Sequence, residues 1–422
     1  MESLKTLFDT LGGWVWGPYM LVLLVGTGVY LTVRLMGIQF TLLPFALKQA
    51  FTPQKKTEGE TQEGDISHFG ALMTALSATI GTGNIAGVAT AVVVGGPGAV
   101  FWMWITAIFG MATKYGEGVL AVKYRIQNSK GEMSGGPMYY IERGMKQKWL
   151  AILFAGFATI ASFGIGSSVQ SNSVAQSIKS ISKVSSVIVP FMAVFYVLGG
   201  LIIILLNLDA LMPALKLIFS DAFTGNAVAG GALGTVIRYG VARGVFSNEA
   251  GMGSAPIAAA AAKTDHPVRQ ALVSMTGTFL DTIVVCSITG IVLVMGNMYM
   301  DGETGAALTT HTFNKMLPGP GGWIVTFGLI FFAYSTILGW CYYGEKCATY
   351  LFGDKCITIY RVIYVATVML GTVASLDLVW AAADTFNGLM AIPNLIALLA
   401  LSGVIIKETK DFKEKRKRGE LP

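Results

Sequence analysis

The stretch SATIGTGNIAGVATA, residues 77–91, places small and polar residues inside an apolar segment. Gly81 and Gly83 each weaken a helix interior by about 1 kcal/mol. In lipid every backbone N–H and C=O group needs a hydrogen-bond partner, so an unwound turn persists only where something polar binds. Freed N–H groups at the start of a half-helix favour a carboxylate, and freed carbonyls and hydroxyls favour a small hard cation. The stretch therefore predicts a broken membrane helix with a binding site.

A close-packing face is the alternative explanation for this stretch, because Gly83 and Gly87 form a G-x-x-x-G pair. A second stretch, GVFSNEAGMGSAP at 244–256, favours binding, since it also places glycines and polar groups inside a membrane-length segment. Paired breaks at matching positions of two halves indicate an inverted-repeat transporter with a site at the midplane. We therefore predict two broken helices around one site.

The composition is that of an integral membrane protein. The chain has 422 residues, of which 53% are hydrophobic and 13% charged, whereas a soluble domain carries about 25% charged residues. The apolar residues form blocks long enough to span the hydrocarbon core as helices. The scattered cysteines and histidines indicate neither disulfides nor a metal site, and no Walker A motif or nucleophile–base motif is present. These features argue against an ATP-driven pump and against an enzyme.

Hydropathy predicts about eleven membrane spans. Their approximate bounds are 14–36, 66–94, 98–124, 149–179, 184–206, 210–229, 232–261, 268–297, 322–350, 357–374 and 377–405. The short apolar segment 38–52, which contains Pro44, is either an interfacial helix or a linker.

Basic residues in short loops mark the cytoplasmic side of a membrane protein. With eleven spans, most basic residues of this chain fall on one side: Lys48, Lys55, Lys56, Arg125, Lys130, Arg143, Lys146, Lys148, Lys263, Arg269 and those of the tail from Lys407 to Arg418. The opposite side has Lys5, Lys183 and Lys315. We therefore expect the N-terminus outside and the C-terminus in the cytoplasm. The basic tail is interpreted as a topology and lipid-headgroup feature, not as a nucleic-acid site.

A third polar element lies in FFAYSTILGW, residues 331–340. Ser335 and Thr336 are adjacent hydroxyls within an otherwise apolar span. Bonding of each hydroxyl to a carbonyl one turn earlier is the commoner role of an isolated pair. In a five-plus-five arrangement this span is the third of the second half, where it can face the first break and supply two oxygens.

Other polar residues also lie within the predicted spans. Gln170 and Asn172 are on a span that could line a cavity, and Lys114 and Glu117 have the spacing of a pair on one helix face. Asp281 and Asp384 are candidates for proton carriers, cation ligands or structural partners.

The stretch GGPGAVFWMWITAIFGM, residues 95–111, resembles the signature of the sodium:alanine symporter family, also called alanine or glycine:cation symporters. SATIGTGNIAG, FSNEAGMGSAP and ADTFNGLMAIPN (383–394) are also similar to this family. The resemblance covers nearly the whole chain. We expect the bulky aromatic residues of the signature to pack the second core span against the first broken helix.

The resemblance implies an all-α integral membrane protein with a leucine-transporter-like five-plus-five inverted repeat and one extra N-terminal helix. The corresponding parts are 1–65 (extra helix and cytoplasmic linker), 66–229 (first repeat), 230–406 (second repeat) and 407–422 (basic tail). It also implies import of alanine or glycine, small neutral amino acids, together with sodium ions across the cell membrane. The oligomeric state is left open, a monomer included.

Roles of single residues follow from the same resemblance. The substrate would be bound by Thr82, Gly83, Asn84, Gln170, Phe246, Ser247 and Met252, with Gln170 at the amine end. Sodium would be bound by Ser77, Thr79, Ile80, Asn84, Ser335 and Thr336. Glu249 fits no role in this scheme. Proton coupling through Asp281, Glu249 or Asp384 and a non-pumping channel or sensor stay open as alternatives.

Overall fold

The computed structural model describes residues 2–52, 63–165, 178–224, 233–371 and 376–421, and these are almost entirely helical. The helices of the first part are α1 (Glu2–Val15), α2 (Pro18–Arg34), α3 (Ile38–Thr41), α4 (Leu43–Phe51), α5 (His68–Thr79), α6 (Ala86–Gly95), α7 (Gly98–Lys123), α8 (Pro137–Gly144), α9 (Lys148–Ile165), α10 (Ile178–Leu206) and α11 (Leu208–Thr224). Those of the second part are α12 (Leu233–Asn248), α13 (Ala255–Ala259), α14 (Pro267–Thr278), α15 (Ser287–Gly296), α16 (Gly305–Met316), α17 (Pro320–Phe352), α18 (Ile357–Gly371), α19 (Leu376–Ala400) and α20 (Ser402–Lys417).

Both predicted breaks are confirmed. Helix α5 ends at Thr79, a 3₁₀ turn covers Thr82–Asn84, and the helix axis bends by 62° before it continues through α6. In the second half, α12 ends at Asn248 and α13 begins at Ala255. Between them, Gly251 and Gly253 have φ values of +89° and +85°. Glycine adopts such angles without a steric penalty, so the two glycines keep the segment between α12 and α13 unwound.

Five helical segments in the described residues are long and apolar enough to cross a membrane, and the bent pair around the first break makes six. Helix α9 is apolar but shorter. Charges interrupt some of the other predicted spans, for example Lys216 and Asp221 in α11 and Arg238 and Arg243 in α12. Eleven spans therefore stay a prediction.

The predicted N-terminal span at 14–36 corresponds to one candidate span, Thr6–Arg34, which begins earlier and consists of two helices. Helix α1 ends at Val15, and α2 begins at Pro18 after an extended Gly17. Proline is well placed at the first position of a helix but cannot continue a preceding one. Helix α1 packs on α19, where Phe8 O accepts a hydrogen bond from Thr385 Oγ1 at 3.1 Å and Trp16 Nε1 donates to Asp384 O at 3.0 Å.

Loops and ends contain more structure than the hydropathy pattern indicates. The segment 38–52 forms α3 and α4, and the loop after α7 holds a small antiparallel hairpin, Ile126–Gln127 with Met133–Ser134, followed by α8. Helix α10 begins at Ile178, before the predicted 184. Most of the basic tail is helical, since α20 extends to Lys417, and Thr409 is hydrogen-bonded to Tyr115 of α7 at 2.7 Å.

Helix α7 is the centre of the fold, packed against α2, α11, α12 and α14. The prediction that its aromatic residues pack against the first broken helix was wrong. Phe101 lies against Phe219 and Phe223 of α11, and Trp102 Nε1 donates to Ala222 O of the same helix at 2.9 Å. The signature face turns towards α11 because an indole N–H that is shielded from water needs an acceptor, and the end of α11 supplies a free carbonyl.

A glycine of the signature sets the distance between α7 and α11. A Cβ atom at Gly98 would lie 2.6 Å from Ala222 Cα, and Gly98 N donates to Asp221 Oδ2 at 2.8 Å. We expect Gly98→Ala to destabilise the purified protein by about 1–3 kcal/mol, the range for overpacking, measured as a lower melting temperature in detergent.

Gly156→Ala is the matched control for this substitution. Gly156 lies inside α9, and a Cβ there meets nothing within 4 Å, so the change should stabilise the helix by about 0.5–1 kcal/mol. Equal melting temperatures for the two variants would contradict the proposed close contact.

Candidate functional site

The first break is closed by its own asparagine. Ile80 and Gly81 have extended backbones, which separates α5 from the 3₁₀ turn. Asn84 Oδ1 accepts a hydrogen bond from Gly81 N at 2.8 Å. This bond satisfies one N–H group that the unwound turn would otherwise leave unpaired in an apolar environment. It also holds the Asn84 side chain inside the protein, where its exposure is 0%.

The Asp281 carboxylate joins the two breaks. Asn84 Nδ2 donates to Asp281 Oδ1 at 2.7 Å, and Ser247 Oγ, at the end of α12, donates to Asp281 Oδ2 at 2.9 Å. Asp281 is fully buried and lies in a π-helical segment, Phe279–Cys286, between α14 and α15. A π-helical turn adds a residue and redirects the side chains around it, and such turns are frequent at functional sites.

The second break is held by polar groups of α7 and α19. Glu117 Oε1 accepts from Gly253 N at 3.0 Å and from Asn394 Nδ2 at 2.6 Å. Asn394 Nδ2 also donates to Gly251 O at 2.9 Å. Lys114 Nζ donates to Asn248 O at 2.8 Å. Lys114 and Glu117, for which the sequence indicated a mutual pair, therefore each bind the unwound backbone of this break.

A small cavity of about 30 Å³ lies between the breaks and α17 and α19. Its lining residues are Ala78, Thr79, Gly81, Thr82, Gly83, Phe246, Glu249, Thr336, Trp340 and Asn387. A space of this size can hold a water molecule. The lining combines hydroxyls, backbone groups, one carboxylate and two aromatic rings, which is the composition of a site for a small polar ligand.

Several of the predicted site residues line this cavity: Thr79, Thr82, Gly83, Phe246 and Thr336. The others take different positions. Ser77, Ile80, Asn84, Ser247, Met252 and Ser335 are buried but are not part of its lining. Gln170 and Asn172 lie outside the described residues. Thr336, but not Ser335, lines the same cavity as residues of both breaks, and one shared binding site stays a prediction.

The two hydroxyls of α17 make the local bonds that are usual for such pairs. Ser335 Oγ and Thr336 Oγ1 donate to Phe332 O at 3.0 Å and 2.9 Å. Donation uses the hydroxyl hydrogen and leaves the oxygen lone pairs free to accept. Thr336 Oγ1 lies directly against Gly81, where a Cβ atom would collide with it. The absence of a side chain at Gly81 therefore allows the first break and this hydroxyl to approach.

Sequence reasoning named neither Trp340 nor Asn387 of the lining, and it gave Glu249 a role only in the alternative of proton coupling. Glu249 was visible as a charge inside the second break, and Asn387 as an amide inside a predicted span. These signals marked them as unusual for lipid. Only the tertiary structure shows that Glu249 and Asn387 line the same cavity.

A larger cavity of about 280 Å³ lies next to the small one, between α1, α12 and α19. Arg243 and Asp384 both line it and form an ion pair, with 3.9 Å between Arg243 Nη1 and Asp384 Oδ2. The Arg243 guanidinium lies 5.6 Å from the centre of the Phe246 ring. Phe246 lines both cavities. One aromatic ring therefore separates the larger cavity from the residues at the breaks.

Comparison with known proteins identifies similar chains. The model of the sodium:alanine symporter family matches residues 1–180 and 174–422. The chain is 58% identical to the sodium/alanine symporter AgcS of Methanococcus maripaludis, over 98% of both proteins. Two proteins of Bacillus subtilis are also similar: the probable sodium/glutamine symporter GlnT, 37% identical over 97% of this chain and 90% of that protein, and the putative sodium/proton-dependent alanine carrier protein YrbD, 36% identical over 96% and 92%.

The Asp281 link between the breaks leads to a stability prediction. Asp281→Ala removes the acceptor of Asn84 Nδ2 and Ser247 Oγ. The two donors keep the weak acceptor Cys286 Sγ, and Asn84 Nδ2 also keeps the backbone O of position 281. A buried donor that loses its partner costs about 1–3 kcal/mol, so the melting temperature in detergent should fall. Asp281→Asn keeps the shape of the side chain and one acceptor oxygen, so its melting temperature should fall less than that of Asp281→Ala. Asp301→Ala, at an exposed loop position, is the control. If Asp281→Ala and Asp301→Ala have the same melting temperature, the Asp281 carboxylate does not hold the breaks together.

Proposed function

Because the chain belongs to the sodium:alanine symporter family, a family of secondary transporters and not of enzymes, we propose that it imports alanine, glycine or both by symport with sodium. Membership of the family and the apolar helices show a multi-pass membrane protein for cation-coupled amino acid transport. The observation that carries the finer proposal is the small polar cavity between the two breaks.

The substrate carboxylate is proposed to bind at the first break. The first N–H groups of a helical turn have no partner within that turn and attract an anion. Those of Thr82 and Gly83 belong to the 3₁₀ turn that lines the cavity. Phe246 and Trp340 are its bulky walls, which favours substrates with small side chains. One methylene is worth about 1–3 kcal/mol in an apolar pocket, so alanine and glycine would be preferred over serine or glutamine without absolute exclusion.

Sodium is proposed to bind where Thr336 meets the first break. Carbonyl groups of Ser77 and Ile80 and the hydroxyls of Ser335 and Thr336 would hold one ion, and Thr79 and Asn84 would help to hold another near the substrate. The contact of Thr336 with Gly81 supports this assignment, since a hydroxyl and an unwound backbone are both oxygen sources for a hard cation. An ion bound there would draw α17 and the first break together.

The proposed architecture is the leucine-transporter-like five-plus-five repeat. The first repeat would contain α5 with α6, α7, α9, α10 and α11, within 66–229. The second would contain α12 with α13, α14 with α15, α17, α18 and α19, within 230–406. Together with the N-terminal segment 1–65, this makes eleven spans, with the N-terminus outside and the basic tail, 407–422, in the cytoplasm of the cell.

Alternating access is the proposed mechanism. The larger cavity would be the outer entrance, with Phe246 and the Arg243–Asp384 pair closing over the substrate. Sodium and substrate bound at the breaks would favour one arrangement of the helices, and the sodium gradient would drive the cycle inward.

Proton coupling is the second candidate. Three carboxylates, those of Glu117, Glu249 and Asp281, are buried around the two breaks. Buried acidic residues in membrane spans are typical of proton relays. A similar chain is described as a sodium/proton-dependent alanine carrier. The hydrogen bonds of Asp281 and Glu117 to the breaks equally support a structural role, so the coupling ion has to be measured.

Uptake of labelled alanine into proteoliposomes separates these functions. We expect transient accumulation above equilibrium with an inward sodium gradient, because the ion gradient supplies the free energy. An inward proton gradient without sodium and a sample without any gradient should give equilibration at most. Accumulation with protons alone would contradict sodium coupling. Sodium-dependent binding without accumulation in any sample would indicate a channel or sensor.

Thr336→Ala tests the proposed sodium site. The change removes one oxygen ligand, so the sodium concentration for half-maximal uptake should rise by about tenfold, corresponding to about 1.4 kcal/mol, while alanine affinity at saturating sodium changes little. Thr326→Ala on the same helix is the matched control, because Thr326 Oγ1 also donates to a carbonyl one turn earlier, Gly322 O. An unchanged sodium requirement in Thr336→Ala would refute the assignment.

A further inference from the structure

We propose that Asn387 and Glu249 together receive the α-ammonium group of the substrate. The site then takes α-amino acids as zwitterions and excludes carboxylic acids of the same shape that have no ammonium group. This inference rests on the proposed transport function and deepens it, since it assigns the half of the substrate that the first break does not bind.

Asn387 has an unused hydrogen-bonding group at the cavity. Its side chain is on α19, is 1% exposed and lines the small cavity. Its Oδ1 atom has no hydrogen-bond partner anywhere in the described part of the chain. A buried amide oxygen is nearly always paired, because leaving it unpaired costs the free energy of its lost hydration. A polar ligand in the cavity would supply the missing donor.

Glu249 brings a negative charge to the same cavity. It is 2% exposed, lines the cavity and is held in the left-handed region with φ +55°. This conformation is uncommon for a residue with a side chain and is typical of functional sites. Ser254 Oγ donates to Glu249 Oε2. The Lys114 ammonium is hydrogen-bonded to Asn248 O, and no cationic side chain in the described residues forms an ion pair with Glu249, so its carboxylate has room for a cationic ligand group.

The arrangement of donors and acceptors favours a zwitterion over a metal ion. Hydrogen-bond donors among the lining residues include the N–H groups at the start of the 3₁₀ turn, Thr82 and Gly83. Its acceptors include Asn387 Oδ1 and the Glu249 carboxylate. A sodium ion would use the acceptors and leave the N–H groups without an anion. An α-amino acid carries an ammonium and a carboxylate group on the same carbon and would satisfy both sets.

Binding of labelled alanine to the purified protein at saturating sodium tests the inference. We expect Asn387→Ala to raise the alanine Kd by about tenfold or more, because hydrogen bonds to charged groups are the strong ones. Asn387→Asp keeps an acceptor oxygen and should restore most of the affinity. The sodium concentration for half-maximal binding at saturating alanine should not change. Asn314→Ala is the matched control. Asn314 is not part of the cavity lining, and its Oδ1 atom accepts a hydrogen bond from Gly319 N.

Competition by lactate, which replaces the ammonium group of alanine by a hydroxyl, supplies the specific readout. Asn387→Ala should reduce the preference for alanine over lactate by about tenfold, since alanine alone loses a charge-assisted bond. Loss of both ligands in equal proportion would show that Asn387 is structural and would overturn the inference. A raised sodium requirement would instead make Asn387 a sodium ligand, which overturns it equally.

Failure of this inference is distinguishable from failure of the proposed function. If the wild-type protein binds no alanine or glycine in sodium, the transport proposal itself is wrong. If it binds alanine and Asn387→Ala binds it with the same Kd, only the ammonium assignment is wrong. Melting temperatures of all variants, measured in parallel, identify any variant that has lost its fold.

Discussion

The hydrogen bonds of Asp281 to Asn84 and Ser247 are the constraint on which the rest of the site depends. Both helix breaks expose backbone groups that have no water to bind in a membrane interior. A carboxylate with two oxygens can accept from both breaks at once, and it does so from a π-helical turn that directs it between them. The two breaks, which lie in different halves of the chain, are thereby held at one place.

The second break depends on a different set of partners with the same physical purpose. Glu117 and Asn394 pair with the backbone of Gly253 and Gly251, and Lys114 pairs with the last carbonyl of α12. These side chains belong to α7, which packs against α6, α12 and α13, and to α19. Charged residues in the interior are therefore the groups that make an unwound backbone tolerable, and the cavity between the breaks is a consequence of this arrangement.

The cavity has two chemically different sides, which connects the fold to transport. The lining includes Thr82 and Gly83 of the 3₁₀ turn, whose N–H groups are donors, and Asn387, Glu249 and Thr336, whose side-chain oxygens are acceptors. Phe246 separates this space from the larger cavity that contains the Arg243–Asp384 pair. Under the proposed function, a small zwitterion and a small cation would find hydrogen-bonding partners in this lining, which lowers the cost of burying their charges in an apolar protein.

The sequence by itself determined the membrane class, both helix breaks and the family, because long apolar blocks, glycines within them and a contiguous signature are local properties of the chain. It also indicated Thr82, Gly83, Phe246 and Thr336, which line the cavity. Only the tertiary structure decided which polar residues meet. Asp281 bonds to Asn84 far away in the chain, Asn387 reaches the cavity from α19, and the aromatic signature packs on α11 instead of the first break. Hydropathy and the spacing of glycines along the chain indicate where a helix is stable and where it breaks. Hydrogen bonds between residues far apart in the chain depend on how the helices pack.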